Sequence, residues 1–319
     1  MTDGLYKQLR SELSDSVQRN RCEALLLSGG LDSSILAFLL RPKQTFTIGW
    51  DSEAPDLPYA RLVSKKYGEN HAEFMLKDDD EHLSRLLRGV VQNLQTFSPM
   101  EVRNSCVVYA GLLHAKEYGY RDIMTGDGCD ELFAGYNYLD RYFNGVGELD
   151  KELRRLWNIM HFSSVSLGET LGIGVKTPYL DKEFLWYAKS VDPRIKIGEF
   201  SGKIWGKFVL RKCFEESLGP YITWRKKLAQ EEGAATMNLK RFAESHINES
   251  SFRSRTEEVL KEGVNVRDKE HLYYYDIFRT YFCPPGEEDC TGTRCHACNG
   301  CIPAGRNYCR TCGAFASRA

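Results

Sequence analysis

No apolar run in this sequence approaches the roughly 18 residues that a membrane-spanning helix needs. The opening stretch, MTDGLYKQLRSELSD, is polar, reads as helical and has no hydrophobic core of the kind a secretory signal carries. Charge of one sign is missing too. There are 43 Lys and Arg against 44 Asp and Glu, for a net charge of −1. That excludes a global electrostatic pull toward nucleic acid or a membrane surface. No internal repeat and no low-complexity block occurs. A chain of 319 residues with 42% apolar content is therefore expected to be an ordinary globular, cytoplasmic protein of one large or two smaller domains.

What is present begins at Leu25. The stretch LLLSGGLDSSILAFLL, Leu25 to Leu40, sets Ser28-Gly29-Gly30-Leu31-Asp32-Ser33-Ser34 between two apolar runs. A strand-to-helix turn of this kind aims backbone N–H groups and the positive end of a helix dipole at one spot. Gly29 and Gly30 let a phosphate approach the backbone, and Ser28, Ser33 and Ser34 add hydroxyl donors. A carboxylate, Asp32, fits such a cradle only if a cation intervenes, which points to Mg²⁺ held against a pyrophosphate. The Gly-Lys-Ser/Thr ending of the common phosphate loop is absent. The loop resembles the signature of the ATP-pyrophosphatase superfamily, whose members cleave ATP between the α and β phosphates.

Strand-like and helical patterns alternate along the first 125 residues. Strands are expected at Ala24–Leu27, Thr45–Gly49, Ala72–Leu76 and Asp122–Thr125. Helices are expected at Ser33–Leu40, Pro58–Tyr67, Asp79–Gln95 (with Asp78 as N-cap) and Val102–Glu117. The alternation implies an α/β fold in which a parallel sheet is sandwiched by helices, with ligands bound beyond the carboxyl ends of the strands. From Glu131 to Phe242 the pattern is mainly helical. Tyr273-Tyr274-Tyr275 in a charged, aromatic stretch reads as packing surface.

A second loop, Thr125-Gly126-Asp127-Gly128-Cys129-Asp130-Glu131, repeats the logic of the first: a strand ends, glycines open the backbone, and acids point to the same rim. Asp130 with Asp32 would complete a Mg²⁺ site. The pair SGGLDSS and TGDGCDELFAGY resembles the synthetase domain of the asparagine synthetase family. Matching in order are FTIGW (Phe46–Trp50), PYARLV (Pro58–Val63) followed by His71, TPYLDKEFL (Thr177–Leu185), K-x-x-L-R at Lys207–Arg211, and W-R-x-K at Trp224–Lys227. The resemblance covers roughly residues 5–240. It implies that Ser28, Gly29, Gly30, Asp32, Ser33, Ser34 and Gly126 hold ATP pyrophosphate and Mg²⁺. Asp130 would be the second metal carboxylate, and Ile48 within Phe46–Trp50 would lie near the adenine. Lys227 would stabilise charge developing on the phosphates, and Asp127 would orient or deprotonate the nucleophile. Lys207 and Arg211, spaced i, i+4, read equally as phosphate ligands or as a solvated helix face.

Two features depart from that family. Its glutamine-dependent members carry a nucleophilic Cys directly after the initiator Met, whereas Thr2 follows Met1 here. The expected amine donor is then free ammonia, ammonia from a separate amidotransferase subunit, or another amine. The second departure is a tail with the spacing Cys290-x4-Cys295-x2-Cys298-x2-Cys301-x7-Cys309-x2-Cys312. Clustered thiols in a reducing compartment read as a metal site. The knuckles Cys295/Cys298 and Cys309/Cys312 suit a zinc ribbon with four thiolates. A rival set, Cys290, Cys295, Cys298 and Cys301, resembles the zinc site of 7-cyano-7-deazaguanine synthases, and the C-x2-C-x2-C run also permits an iron–sulfur cluster.

The expected organisation is a nucleotide domain over residues 1–240, a helical extension over 241–282 and a Zn²⁺-binding tail over 283–319. The leading function is an ATP-dependent ligase that adenylates a small carboxylate and forms an amide. The alternative is a tRNA- or nucleobase-modifying enzyme whose tail contacts RNA or carries sulfur.

Overall fold

A computed structural model describes residues 2–315. After helix α1 (Thr2–Arg19), five strands form one sheet: β1 (Ala24–Leu26), β2 (Gln44–Gly49), β3 (Asn70–Met75), β4 (Asp122–Met124) and β5 (Gly174–Lys176), in the order β3-β2-β1-β4-β5. β1 pairs in parallel with β2 and β4, and β4 with β5, so the α/β parallel sheet flanked by helices is as expected. Helix α2 (Leu31–Leu40) joins β1 to β2, and α3 (Leu57–Tyr67) joins β2 to β3.

Alternation along β1 sets the two layers. Leu25, with Leu27 just beyond the strand, enters a core that holds Leu9, Leu13 and Val17 of α1, Ile35 and Leu36 of α2, and Phe184, Leu210 and Phe214 from later helices. Leu26 points the other way, against Gly111, where an added Cβ would strike its side chain. On that same layer Phe46 packs edge-on to Tyr118 and Tyr120.

Element boundaries shift modestly from the sequence reading. The helix expected from Asp79 runs Asp80–Leu94, and its N-cap is Asp79, which accepts from the His82 N–H at 2.8 Å; Asp78 belongs to the preceding 3₁₀ turn. The helix expected from Val102 begins at Pro99, because proline suits the first turn. Within the stretch read as mainly helical lie β5 and an antiparallel hairpin, Ile197–Phe200 with Lys203–Gly206.

The chain forms two compact units, neither continuous in sequence. One comprises Met1–Ile48, Pro55–Phe74 and Gly111–Ala229, and the other Gly49–Ala54, Met75–Ala110 and Gln230–Ala319. In the second, Tyr274 and Tyr275 of helix Lys269–Arg279 are fully buried, Phe97 packs against Tyr275 and Phe278, and Arg103 reaches Glu231 at 2.6 Å and Glu270 at 2.9 Å. Among the described residues no helix is long and apolar enough to cross a membrane.

Leu25→Ala removes a fully buried side chain and is expected to cost about 2–5 kcal/mol in urea unfolding. Trp186→Ser, at a residue 72% exposed, is expected to stay within about 0.5 kcal/mol of the parent.

Candidate active site

Both motif loops follow strands at the carboxyl edge of the sheet. Ser28–Gly30 leads from β1 into α2, and Thr125–Gly128 leads from β4 into the short helix Cys129–Leu132. They touch: a Cβ added at Gly126 would lie 3.2 Å from the Asp32 Cβ. Gly29 has φ +69° and rests on the backbone of Tyr59 and Ala60, where a side chain would collide. Inside the first loop, Ser28 Oγ lies 3.1 Å from Ser33 Oγ and accepts from the Gly30 N–H at 3.2 Å. The Ser34 hydroxyl is fully buried and has no hydrogen-bond partner among the described residues. Ile48, at the carboxyl end of β2, is buried.

The centre of the site is Lys207. Its Nζ lies 2.6 Å from both carboxylate oxygens of Asp32 and 2.6 Å from Asp130 Oδ1. Lys227 Nζ donates to Asp130 Oδ2 at 2.8 Å. Four charges, two of each sign, thus form one chain across the two loops. Burial alone would raise Asp130, but the ammoniums of Lys207 and Lys227 outweigh it and hold the carboxyl well below its usual range. Burial likewise opposes the charge on Lys207, and Asp130 and Asp32 reverse that and raise it well above the usual lysine value. A buried ion cluster of this type survives only if each member is matched.

Local backbone builds the contact. Lys207 has φ 56° and caps helix Phe208–Leu218, with its N–H bonded to the Phe133 carbonyl at 2.8 Å. Gly135 must lack a side chain, since a Cβ there would strike Asp130 Oδ1 and Lys207 Cε. The solvated-face reading of Lys207 and Arg211 is therefore corrected: the two residues are 3% and 4% exposed. Lys207 precedes the helix, so helical spacing does not govern where it points. Arg211 turns inward, donating to the carbonyls of Gly206 (2.9 Å), Thr223 and Arg225 (3.2 Å). These contacts hold backbone, and burial lowers its guanidinium to about 10.

Asp127 lies beside this cluster. Its Oδ2 accepts from the hydroxyls of Thr125 (2.8 Å) and Ser164. Burial raises its carboxyl, the two hydroxyls oppose that, and Asp130 adds to it. A carboxyl with raised affinity for protons is suited to accept one from an amine. Glu131, buried nearby, accepts from Tyr136 Oη at 2.5 Å and is raised chiefly by burial. The TPYLD segment supports the loops: Tyr179 donates to the Asp32 carbonyl at 3.1 Å, and Gly128, φ +93°, sits where a Cβ would meet Leu180. Asp181 caps helix Lys182–Ser190 and pairs with Arg19. Sequence reasoning missed Asp56, which binds Arg225 in a nearly buried pair. The only signal was that both fall within matched or flanking motif segments.

Asp32 and Asp130 both reach the Lys207 ammonium, and two carboxylates this close together are hard oxygen donors of the kind Mg²⁺ takes. The residues present therefore fit the ion.

In the other unit, Cys295, Cys298, Cys309 and Cys312 are buried with their sulfurs all within 4.8 Å of one another. Cys295 lies 3.6 Å from Cys312 and Cys298 3.7 Å from Cys309. Tetrahedral zinc at Zn–S of about 2.3 Å requires sulfurs about 3.8 Å apart, so the donor set fits. Each knuckle sits on a two-stranded turn, Thr293–Arg294 with Cys301–Ile302 and the bridge Tyr308 to Phe315. Cys290 and Cys301 stand outside the four and are joined by a disulfide. The tail docks by backbone, Phe97 N–H to the Thr311 carbonyl at 2.8 Å and Asn265 N–H to the Ala297 carbonyl at 2.7 Å.

Comparison with known proteins gives a consistent picture. The asparagine synthase family model matches residues 8–164 and 166–282, past residue 240, where the motif resemblance ends. The chain is 26% identical to the glutamine-hydrolyzing asparagine synthetase B of Escherichia coli K12, over 89% of this chain and 55% of that protein. It is 29% identical to glutamine-hydrolyzing asparagine synthetase 2 of Arabidopsis thaliana (81% and 48%) and to the Bos taurus glutamine-hydrolyzing enzyme (83% and 49%). It spans about half the length of the curated relatives it matches.

Lys207→Met would leave two carboxylates without their shared counter-ion and is expected to cost about 3–5 kcal/mol in urea unfolding. Adding Asp32→Asn should recover part of that loss. Strict additivity of the two substitutions would mean that the groups do not act as one cluster.

Proposed function

This chain belongs to the asparagine synthase family, and from that premise we propose that it is an ATP-dependent, AMP-forming carbon–nitrogen ligase acting on a small carboxylate. The observation that carries the reading is the chain Asp32–Lys207–Asp130–Lys227 at the rim where two glycine-rich loops meet. A carboxylate oxygen of the substrate attacks the α phosphorus of ATP and the α–β bridge breaks, giving acyl-adenylate and pyrophosphate. Ammonia or another amine then attacks the acyl carbon, the acyl–phosphate bond breaks, AMP leaves, and the amine gives up a proton.

Each step has a matching group. The Ser28–Ser34 loop and Gly126 hold the leaving pyrophosphate through backbone N–H groups and hydroxyls. Lys227 and Lys207 present fixed positive charge to the phosphates, where charge builds as the α–β bond breaks. Asp127, raised by burial, accepts the amine's proton. Asp32 and Asp130 would hold Mg²⁺, which would supply additional positive charge to the pyrophosphate. Ile48 lines the adenine end. The amine donor is free ammonia, ammonia from a separate amidotransferase subunit, or another amine, and the setting is cytoplasmic. Cys295, Cys298, Cys309 and Cys312 hold a structural zinc ion. The nucleobase- or tRNA-modifying alternative rests on the cysteine tail alone.

The deciding measurement is ATP–pyrophosphate exchange over a panel of amino acids, other carboxylic acids, nucleobases and tRNA. Exchange with a free carboxylic acid is expected; exchange that requires tRNA would sink the ligase reading. Asp130→Asn is expected to lower exchange by about 10²-fold or more, and a variant retaining full exchange would refute the metal assignment. The raised Asp127 carboxyl must be ionised to act as base, so amide formation should fall as pH drops through a value above the ordinary carboxylate range. Asp127→Asn should abolish that step while leaving exchange. Elemental analysis should find about one zinc per chain, lost in Cys309→Ser; iron in its place would indicate a cluster.

A further inference from the structure

Lys227 lies on residues 225–229, a stretch with no helix or strand to fix its register. Side chains hold it instead. Arg211 grips the carbonyls on its N-terminal side, and Trp224 stacks on Phe200 at 3.9 Å, with Trp205 edge-on at 5.6 Å. A third attachment differs in where it leads. Arg225 pairs with Asp56 and lies over the Tyr59 ring, 3.8 Å from its centroid. Tyr59 in turn stacks on Tyr221 at 4.9 Å. The Tyr59–Ala60 backbone is the surface against which Gly29 of the pyrophosphate loop is seated.

Residues 56–60 thus touch both halves of the clamp: the Ser28–Ser34 loop through Gly29, and the Lys227 segment through Arg225. We propose that Asp56, Tyr59 and Arg225 are positioning residues that together lock Lys227 at a fixed distance from the pyrophosphate loop. The lock governs the rate of adenylation and not the affinity for ATP; it rests on the ligase reading above.

The physical case is threefold. The Asp56 and Arg225 side chains are only 12% and 8% exposed, so their attraction is little screened, and removing either strands a buried charge. Arginine is the residue that can pair with a carboxylate and lie flat on an aromatic ring at once, which lysine cannot reproduce. Lys227 is 30% exposed and its ammonium is tied to Asp130 at 2.8 Å, so the length of stem left to reach the phosphates from that anchor depends on where its backbone is placed. A misplacement of about 1 Å in such a group costs on the order of 10²-fold in rate.

The test pairs a readout that needs no substrate with one that does. Deuterium uptake by mass spectrometry is followed in the full chain for peptides covering 220–229 and 24–40, and exchange kinetics are measured where the parent shows exchange. Asp56→Asn, Arg225→Lys and Arg225→Met are expected to speed uptake in 220–229 and leave 24–40 unchanged. They should lower kcat for exchange about 10–100-fold, with the KM for ATP within about twofold of the parent. The reversed pair, Asp56→Arg with Arg225→Asp, should recover part of the loss. Unchanged uptake in 220–229 would overturn the proposal. So would a raised KM at constant kcat, which would make Arg225 a ligand for ATP, or faster uptake throughout the chain in every variant. If the parent shows no exchange with any carboxylic acid, the ligase reading fails, while the uptake measurement still decides whether the lock exists.

Discussion

The buried ammonium of Lys207 is the contact on which the site depends. Two carboxylates, Asp32 and Asp130, come from the first turns of helices that follow different strands and would repel each other without a cation between them. Lys207 supplies that cation from the edge of a third segment, in a left-handed conformation that only a fixed surrounding structure can impose. Its N–H is held by the Phe133 carbonyl, and the space its stem crosses exists because residue 135 is glycine. The loops, the Phe133–Gly135 turn and the start of helix Phe208–Leu218 are therefore one construction.

Much of this was legible in the sequence because the signals are local. A strand followed by Ser-Gly-Gly and an apolar helix specifies where backbone donors point, whatever surrounds it. The same holds for the Cys-x2-Cys knuckles, whose spacing fixes a sulfur pair before any tertiary contact forms. Less legible were elements set by packing. β5 has three residues, Gly174–Lys176, too few to show a period. The Ile197–Gly206 hairpin is short and turns at Ser201-Gly202, both at positive φ, and its apolar residues, Ile197, Phe200, Ile204 and Trp205, do not alternate.

Lys207 and Arg211 show why spacing alone misled. The i, i+4 rule presumes that both residues lie on one helix, yet Lys207 stands just before it and its side chain turns to the carboxylates. Arg211 is within the helix but on its buried side, over Trp205 at 4.8 Å. Nothing in K-x-x-L-R distinguishes a buried guanidinium that organises carbonyls from an exposed one that meets solvent. That difference is made by the tryptophans around it and by carbonyls more than ten residues along the chain.

The charge balance of the cluster bears on how the proposed reaction is ordered. Asp32 and Asp130 are matched by Lys207 and Lys227, so the charges of these four groups sum to zero before any ligand enters. A divalent cation alone would add charge beside two ammoniums, and a polyphosphate alone would add charge beside two carboxylates; each is opposed in a poorly solvated cleft. Arriving together, a divalent cation would offset about half of the polyphosphate's negative charge, and the carboxylates could face the cation while the ammoniums face the phosphates. On the proposed reading, the cluster favours the metal–nucleotide complex over either component. A cation taken up by the carboxylates would also free Lys207 and Lys227 to face the phosphates.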